Sequence, residues 1–329
     1  KSIVSFITLS QIFSTSETSQ QDANDLMLEA LDSAGHLHEE PAPPVHFSYS
    51  RKEHGLPQRL VIRLIERLTG QPRLERLYRA WAGNPHPHEN IFAAGLRLLN
   101  LRLDMNGAAL AKIPRSGPVL FVANHPFGVV DGLAMGHLAT HVRADTLIMT
   151  HSLLCQPPEA RDYLLPVDFG GTEEAQATTM ATRRRAVNWL NLGHALVVFP
   201  GGSVATSQRP FRGPAVEYAW HPFVGKLARL PGVTVVPVYF HGQNSRAFQI
   251  LSHTNYALRI ALLFRESVRR MGSSVKVSVG EPITPEALAR LPDRNAAIAE
   301  LRRATLALGG PEAPSPHLEF KFPRHVYSD

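Results

Sequence analysis

From Pro118 onward, short runs of consecutive apolar residues alternate with longer stretches of helical period. Residues 119–123, 146–149, 195–199, 234–240 and 275–279 are apolar runs too short for helices, and each ends in a polar or Pro/Gly-marked turn, so they predict buried strands. Residues 163–167 predict a short strand or edge segment. Between these runs, 132–138, 178–192 and 255–269 predict helices, with Arg183, Arg184 and Arg185 on the exposed side of the second. A last helical region covers 285–308 with an interruption at Leu291-Pro292. Strands alternating with helices are the rhythm of an α/β domain.

The first hundred residues follow a different pattern. In 56–68, Leu60, Val61, Leu64, Ile65 and Leu68 recur on one side, with Arg59, Arg63, Glu66 and Arg67 on the other. A second helix is expected from Glu89 or Asn90 to Leu101, after the break at Asn84-Pro85-His86-Pro87. An apolar stripe flanked by arginines suits a helix lying on an anionic membrane surface, and equally a helix packed on its own core. Residues 1–57 carry little pattern beyond a short helix over 20–34 and a linker at Pro41-Ala42-Pro43-Pro44, and are expected to form an arm or small subdomain.

Composition narrows the function classes. At 329 residues, 44% apolar and 19% charged, the chain has ample material for a packed core. Its net charge of +6 favours an anionic partner, such as phospholipid, phosphate-bearing substrate or acidic carrier. One cysteine, Cys155, excludes an internal disulfide framework. No run reaches the ~18 apolar residues of a membrane-spanning helix, so a peripheral protein is expected. Histidine spacings reproduce no zinc motif, and no metal is expected.

One constellation reads as chemistry. Asn124-His125-Pro126-Phe127-Gly128-Val129-Val130-Asp131 follows directly on the 119–123 strand, delivering a histidine and a carboxylate to a sheet end. Such a histidine takes a proton near neutral pH, and an acid at its second nitrogen fixes the tautomer and stabilises the imidazolium. Asn124 orients the loop. Two further strand ends carry polar turns: Phe199-Pro200-Gly201-Gly202-Ser203, whose glycines admit a close substrate, and Pro237-Val238-Tyr239-Phe240-His241, with Pro237 expected in the cleft wall. Arg209, Arg212 and Arg246 lie near these loops as candidate grips for a phosphate or carboxylate.

These three blocks, in this order, resemble the glycerolipid acyltransferase family, with the likeness spanning about residues 90–285 and strongest to its lyso-ornithine-lipid and hemolysin-like branches. The resemblance implies an α/β fold with a mixed sheet flanked by helices, preceded by an N-terminal helical segment. It implies an acyltransferase domain over 58–310, with 58–101 as its membrane-proximal helical part and 311–329 as a tail. The implied reaction moves a fatty acyl group from an acyl-ACP or acyl-CoA thioester to a lyso-lipid hydroxyl, with His125 as general base, Asp131 as its partner and Gly128 in support. No bound cofactor and no nucleic acid are implied, and the expected location is the cytoplasmic face of the inner membrane. The sequence departs from the family pattern in three places. Five residues separate His125 from Asp131 instead of four, Gly201 stands where a glutamate is usual, and the block at Leu165-Pro166-Val167-Asp168-Phe169 lacks the usual arginine. The missing arginine weakens recognition of a phosphate headgroup and favours an amino-acid lipid.

Other readings stay open on the residues alone. A 1-acylglycerol-3-phosphate acyltransferase proper is one. A serine esterase is a second, since Gly201-Gly202-Ser203-Val204-Ala205 approximates a nucleophile elbow, with Glu217 and His241 or His253 as later partners. A noncatalytic basic membrane-binding module is a third.

Overall fold

The computed structural model describes residues 55–168, 172–254 and 256–321, all within the compact unit Val45–Asp329. The helix expected over 20–34, the linker after it and the end of the tail lie outside the described residues. Nine strands are described: β1 (Arg102–Met105), β2 (Val119–Ala123), β3 (Thr146–His151), β4 (Leu164–Val167), β5 (Ala195–Val198), β6 (Thr206–Arg209), β7 (Arg212–Val216), β8 (Thr234–Phe240) and β9 (Ser274–Val279). The helices are α1 (Leu56–Leu68), α2 (Gln71–Ala82), α3 (Ile91–Leu98), α4 (Gly107–Leu110), α5 (Val129–Val142), α6 (Glu173–Asn191), α7 (Pro222–Ala228), α8 (Arg246–Leu251), α9 (Tyr256–Arg269), α10 (Pro285–Ala289) and α11 (Arg294–Ala307).

Seven strands form one mixed sheet in the order β1-β9-β8-β2-β5-β3-β4. The block β8-β2-β5-β3-β4 is parallel, whereas β9 runs antiparallel to β8 and carries β1 parallel to itself. Strand β2 sits centrally with every residue buried, which is why its sequence is unbroken apolar rather than alternating. Val119, Phe121 and Ala123 face one core with Phe92 of α3 and Leu138 of α5. Leu120 and Val122 face the other, with Leu190 of α6, Leu227 of α7 and Leu301 of α11. The sheet is therefore covered on both sides, and polar groups gather at its strand-end loops.

Several elements differ from the sequence reading. Helix α5 starts at Val129 rather than 132, which puts Asp131 inside its first turn. The helix expected to reach Leu101 stops at Leu98, so that the chain can pair β1 with β9. Helix α2 was not anticipated, although Leu74, Leu77, Tyr78 and Trp81 recur at helical spacing within it. The β6–β7 hairpin was also missed, because its residues Thr206-Ser207-Gln208-Arg209 lack an apolar alternation. The interruption in the last helical region falls between α10 and α11, as Pro292 suggested. In α1, Ile62 and Glu66 are buried, while Leu56, Leu60, Leu64 and Leu68 are 58–78% exposed. The helix packs against α9 and turns its leucine row outward.

Asn124 locks β2 to β8 one step beyond the strand. Its Oδ1 accepts from Phe240 N at 2.6 Å and its Nδ2 donates to Phe240 O at 2.9 Å. Both bonds are buried, so Asn124→Ala strands a main-chain N–H and C=O without water. The expected loss is about 2–4 kcal/mol in urea unfolding. A loss below about 1 kcal/mol would show that the lock is dispensable.

Candidate active site

The turn after β2 is held by main-chain bonds from three directions. His125 N donates to Glu217 Oε1 at 2.9 Å, and His125 O accepts from Ala205 N at 2.8 Å. Asp131 Oδ2 accepts from Phe127 N at 2.7 Å and from Gly128 N at 2.9 Å. Gly128 is the hinge of the turn. Its φ of 84° and ψ of −115° suit glycine, and an added Cβ would lie 3.1 Å from Leu263 and 3.3 Å from Val204. This turn absorbs the extra residue between His125 and Asp131.

The His125 ring is partly exposed, with Nδ1 3.1 Å from Oδ2 of the fully buried Asp131. The pair is close enough for charge attraction but lies off the line of a hydrogen bond, and a small ring rotation would align it. With Nδ1 buried against the acid, Nε2 is the nitrogen left for a substrate. Phe199, from the loop after β5, packs on the ring with centroids 4.4 Å apart. The first-turn position of Asp131 on α5 also favours its negative charge through the helix dipole.

The remaining predicted residues fall into two groups. Asn124 and Gly128 belong to the His125 turn; Phe199 packs on the ring, and Pro200, Gly201, Gly202 and Ser203 follow it on a loop that is tied to the turn by Ala205 N to His125 O at 2.8 Å, with Gly201 beside Glu217 and Gly202 N bonded to Phe199 O at 3.0 Å. Pro237 does not line the cleft in the way expected. It is buried within β8 opposite Val122, packed on Gly280. Arg209 and Arg212 pair at the exposed end of the hairpin. Arg212 lies five residues before Glu217, about 16 Å along an extended strand. Neither belongs to the buried cluster. Arg246 is exposed at the start of α8.

The serine-hydrolase partners are not assembled at Ser203. His241 Nε2 bonds Ser278 Oγ at 2.8 Å, His253 Nε2 bonds Ser207 O at 2.8 Å, and Glu217 serves the His125 main chain. Ser203 Oγ instead lies 3.4 Å from Arg259 of α9. Cys155 is partly buried and its thiol is pushed up to about 11 by that burial, which suppresses the reactive thiolate at neutral pH.

Two charged groups near the turn take roles that the sequence reading did not give them. Arg270 lies 3.5 Å over the Phe127 ring and donates to Gln243 O at 3.3 Å. Burial lowers its pKa, against the pull of Asp131. Glu217 is fully buried and its carboxyl is raised above the ordinary range by that burial. Its signal in the sequence was a lone acid in Ala215-Val216-Glu217-Tyr218-Ala219-Trp220.

An apolar cavity of about 180 Å³ opens beside the same turn, between α2, α3 and α5. Leu74, Leu77 and Trp81 line one wall, and Val129, Gly132 and Leu133 of α5 line another. Val129 and Gly132 flank Asp131 in sequence, so the cavity wall and the His125–Asp131 turn share one helix start. Among the described residues no helix is long and apolar enough to cross a membrane.

Comparison with known proteins places this geometry. Two curated relatives, the lyso-glycine lipid O-acyltransferases of Phocaeicola vulgatus and Bacteroides thetaiotaomicron, are 26% and 25% identical over 58% of this chain, covering 67% and 69% of their own lengths. The solved 1-acyl-sn-glycerophosphate (LPA) acyltransferase PlsC of Thermotoga maritima aligns over 76% of this chain and 79% of that one. At 15% identity and a TM-score of 0.41, that likeness is too low to carry an argument. The profile of the family described as Acyltransferase matches residues 48–302, well over half of the chain. The chain belongs to this acyltransferase family and is an acyltransferase enzyme.

Proposed function

We propose that this enzyme moves a fatty acyl group from a carrier thioester to the hydroxyl of an amino-acid lyso-lipid at a membrane surface. The observation that carries this reading is a partly exposed His125 with Nδ1 on buried Asp131, beside an apolar cavity. The printed activity of the two curated relatives supports an amino-acid acceptor, and so does the absence of an arginine after Leu165-Pro166-Val167.

In this mechanism the acceptor hydroxyl donates its proton to His125 Nε2 while its oxygen attacks the thioester carbonyl carbon. Asp131 stabilises the imidazolium. The tetrahedral intermediate collapses, the C–S bond breaks, and the imidazolium proton goes to the leaving thiolate. Neither His125 nor Ser203 becomes acylated. Oxyanion donors must come from amides that are not already engaged. Those of His125, Phe127, Gly128 and Gly202 are spent on Glu217, Asp131 and Phe199. The N–H groups of Gly201 and Ser203 are therefore the ones assigned to the oxyanion. The α2–α3–α5 cavity takes the acyl chain, so its depth sets chain length. Acyl-ACP or acyl-CoA is the co-substrate.

The outward leucine row of α1, with Arg63 and Arg67 exposed beside it, supports docking on anionic lipid. The cytoplasmic face of the inner membrane is the surface we assign to this contact.

Three measurements check these assignments. Labelled acyl-ACP or acyl-CoA is incubated with a panel of lyso-lipids and the products are read by mass spectrometry. His125→Ala is expected to lose about 10²–10⁴-fold in rate, and Ser203→Ala much less. The reverse order would favour a serine hydrolase, and transfer to lysophosphatidate alone would overturn the amino-acid acceptor. Leu77→Trp, which fills the cavity, is expected to shift the preference to shorter acyl chains, and an unchanged chain profile would remove the cavity from the reaction. Leu60→Glu with Leu64→Glu is expected to weaken sedimentation with anionic vesicles on the order of tenfold or more, while unchanged binding would place the membrane contact elsewhere.

A further inference from the structure

We propose that Glu217 is a positioning residue for the transfer reaction, bracing the His125 main chain and setting a second buried negative charge beside the forming imidazolium. The inference rests on His125 being the base. Glu217 reaches the site from the strand end after β7, in a part of the sequence remote from the β2 turn. One oxygen accepts from His125 N at 2.9 Å and the other from Trp220 Nε1 at 2.8 Å. An N–H donor on each oxygen favours the ionised form and opposes the burial that raises its pKa.

A carboxylate this deeply buried is costly unless a cation pairs with it. None does so among the described residues. Arg302 is close but donates to Tyr218 O and Leu318 O, both at 2.7 Å, and to Pro316 O at 2.9 Å. A neutral acceptor would satisfy the His125 N–H without that cost. What the acid adds is charge in a low-dielectric site within a few ångströms of His125, where it favours the protonated ring over the neutral one. Asp131 lies against the ring and Glu217 holds the backbone, so His125 is gripped by two acids on different elements.

The loop after β5 explains why the acid is supplied from so far away. A Cβ built on Gly201 would lie 3.7 Å from both Glu217 Cβ and Oε1, so the Glu217 side chain fills the space in front of that glycine. Here the acid comes from residue 217, and position 201 stays empty to receive it.

The test compares Glu217→Gln and Glu217→Asp with wild type, using acyl carrier and lyso-lipid and correcting turnover for the folded fraction seen by circular dichroism. Glu217→Gln is expected to lower kcat by about 10–100-fold with KM for both substrates unchanged, because the lost charge acts on the transition state. Glu217→Asp is expected to recover part of it. An NMR titration of the His125 ring, with Asp131, Arg270 and Arg302 the same in both proteins, is expected to show a lower midpoint in Glu217→Gln. This readout requires no turnover. In a Glu217→Ala background, Gly201→Glu is expected to restore at least about tenfold of the lost rate, which also covers poor folding of the glutamine variant. A wild type that acylates no lyso-lipid would overturn the acyl-transfer reading. An active wild type with Glu217→Gln within about twofold, an unmoved titration, or no rescue from position 201 would overturn the role of Glu217 alone.

Discussion

The chemistry proposed for this molecule hangs on the immobilisation of one short turn after β2. Its N–H and C=O groups are claimed one by one: His125 by Glu217 and Ala205, Phe127 and Gly128 by Asp131. A buried main chain must place its polar groups somewhere, and here the partners come from other strand-end loops. The hydrogen bonds that satisfy the turn are therefore the same ones that bring the loops together. Because those groups have no water to turn to, losing one partner leaves a group stranded, which makes the arrangement rigid. Rigidity at this point is what proton transfer requires, since the ring must be presented in one orientation.

Charge is distributed around the turn in a consistent way. Two buried acids serve His125, Asp131 at its partly exposed ring and Glu217 at its main-chain N–H. Arg270 and Arg302 stand behind them, each bonded chiefly to main-chain carbonyls or stacked on an aromatic ring. The cations temper the acids without neutralising either by a direct ion pair. The apolar cavity begins on the same helix that carries Asp131, so the proposed acyl-chain site and the acid share one helix start. The exposed leucine row of α1 is the lipid contact proposed to accompany this chemistry.

Much of the fold was legible in the sequence because buried parallel strands are unbroken apolar runs, and β2, β5 and β8 emerged within a residue of their observed limits. Elements with weak apolar pattern were not legible. The β6–β7 hairpin is polar along its length and is strapped on by Gln243 to Ala215 N and Gln249 to Ser207 N, bonds that leave no periodic trace. Strand β1 spans only four residues and exists because β9 lies ready to pair with it.

The chemistry divides along the same line. The sequence by itself determined the histidine and acid pair, since both sit on one turn and local spacing brings them together, and it determined the apolar sheet that presents them. Tertiary structure decided which acid serves the main chain of His125, which predicted arginines stay outside the buried cluster, and which face of α1 meets solvent. Those outcomes depend on contacts between residues distant along the chain, and spacing along a sequence carries no information about which of many acids a fold will carry to a given amide.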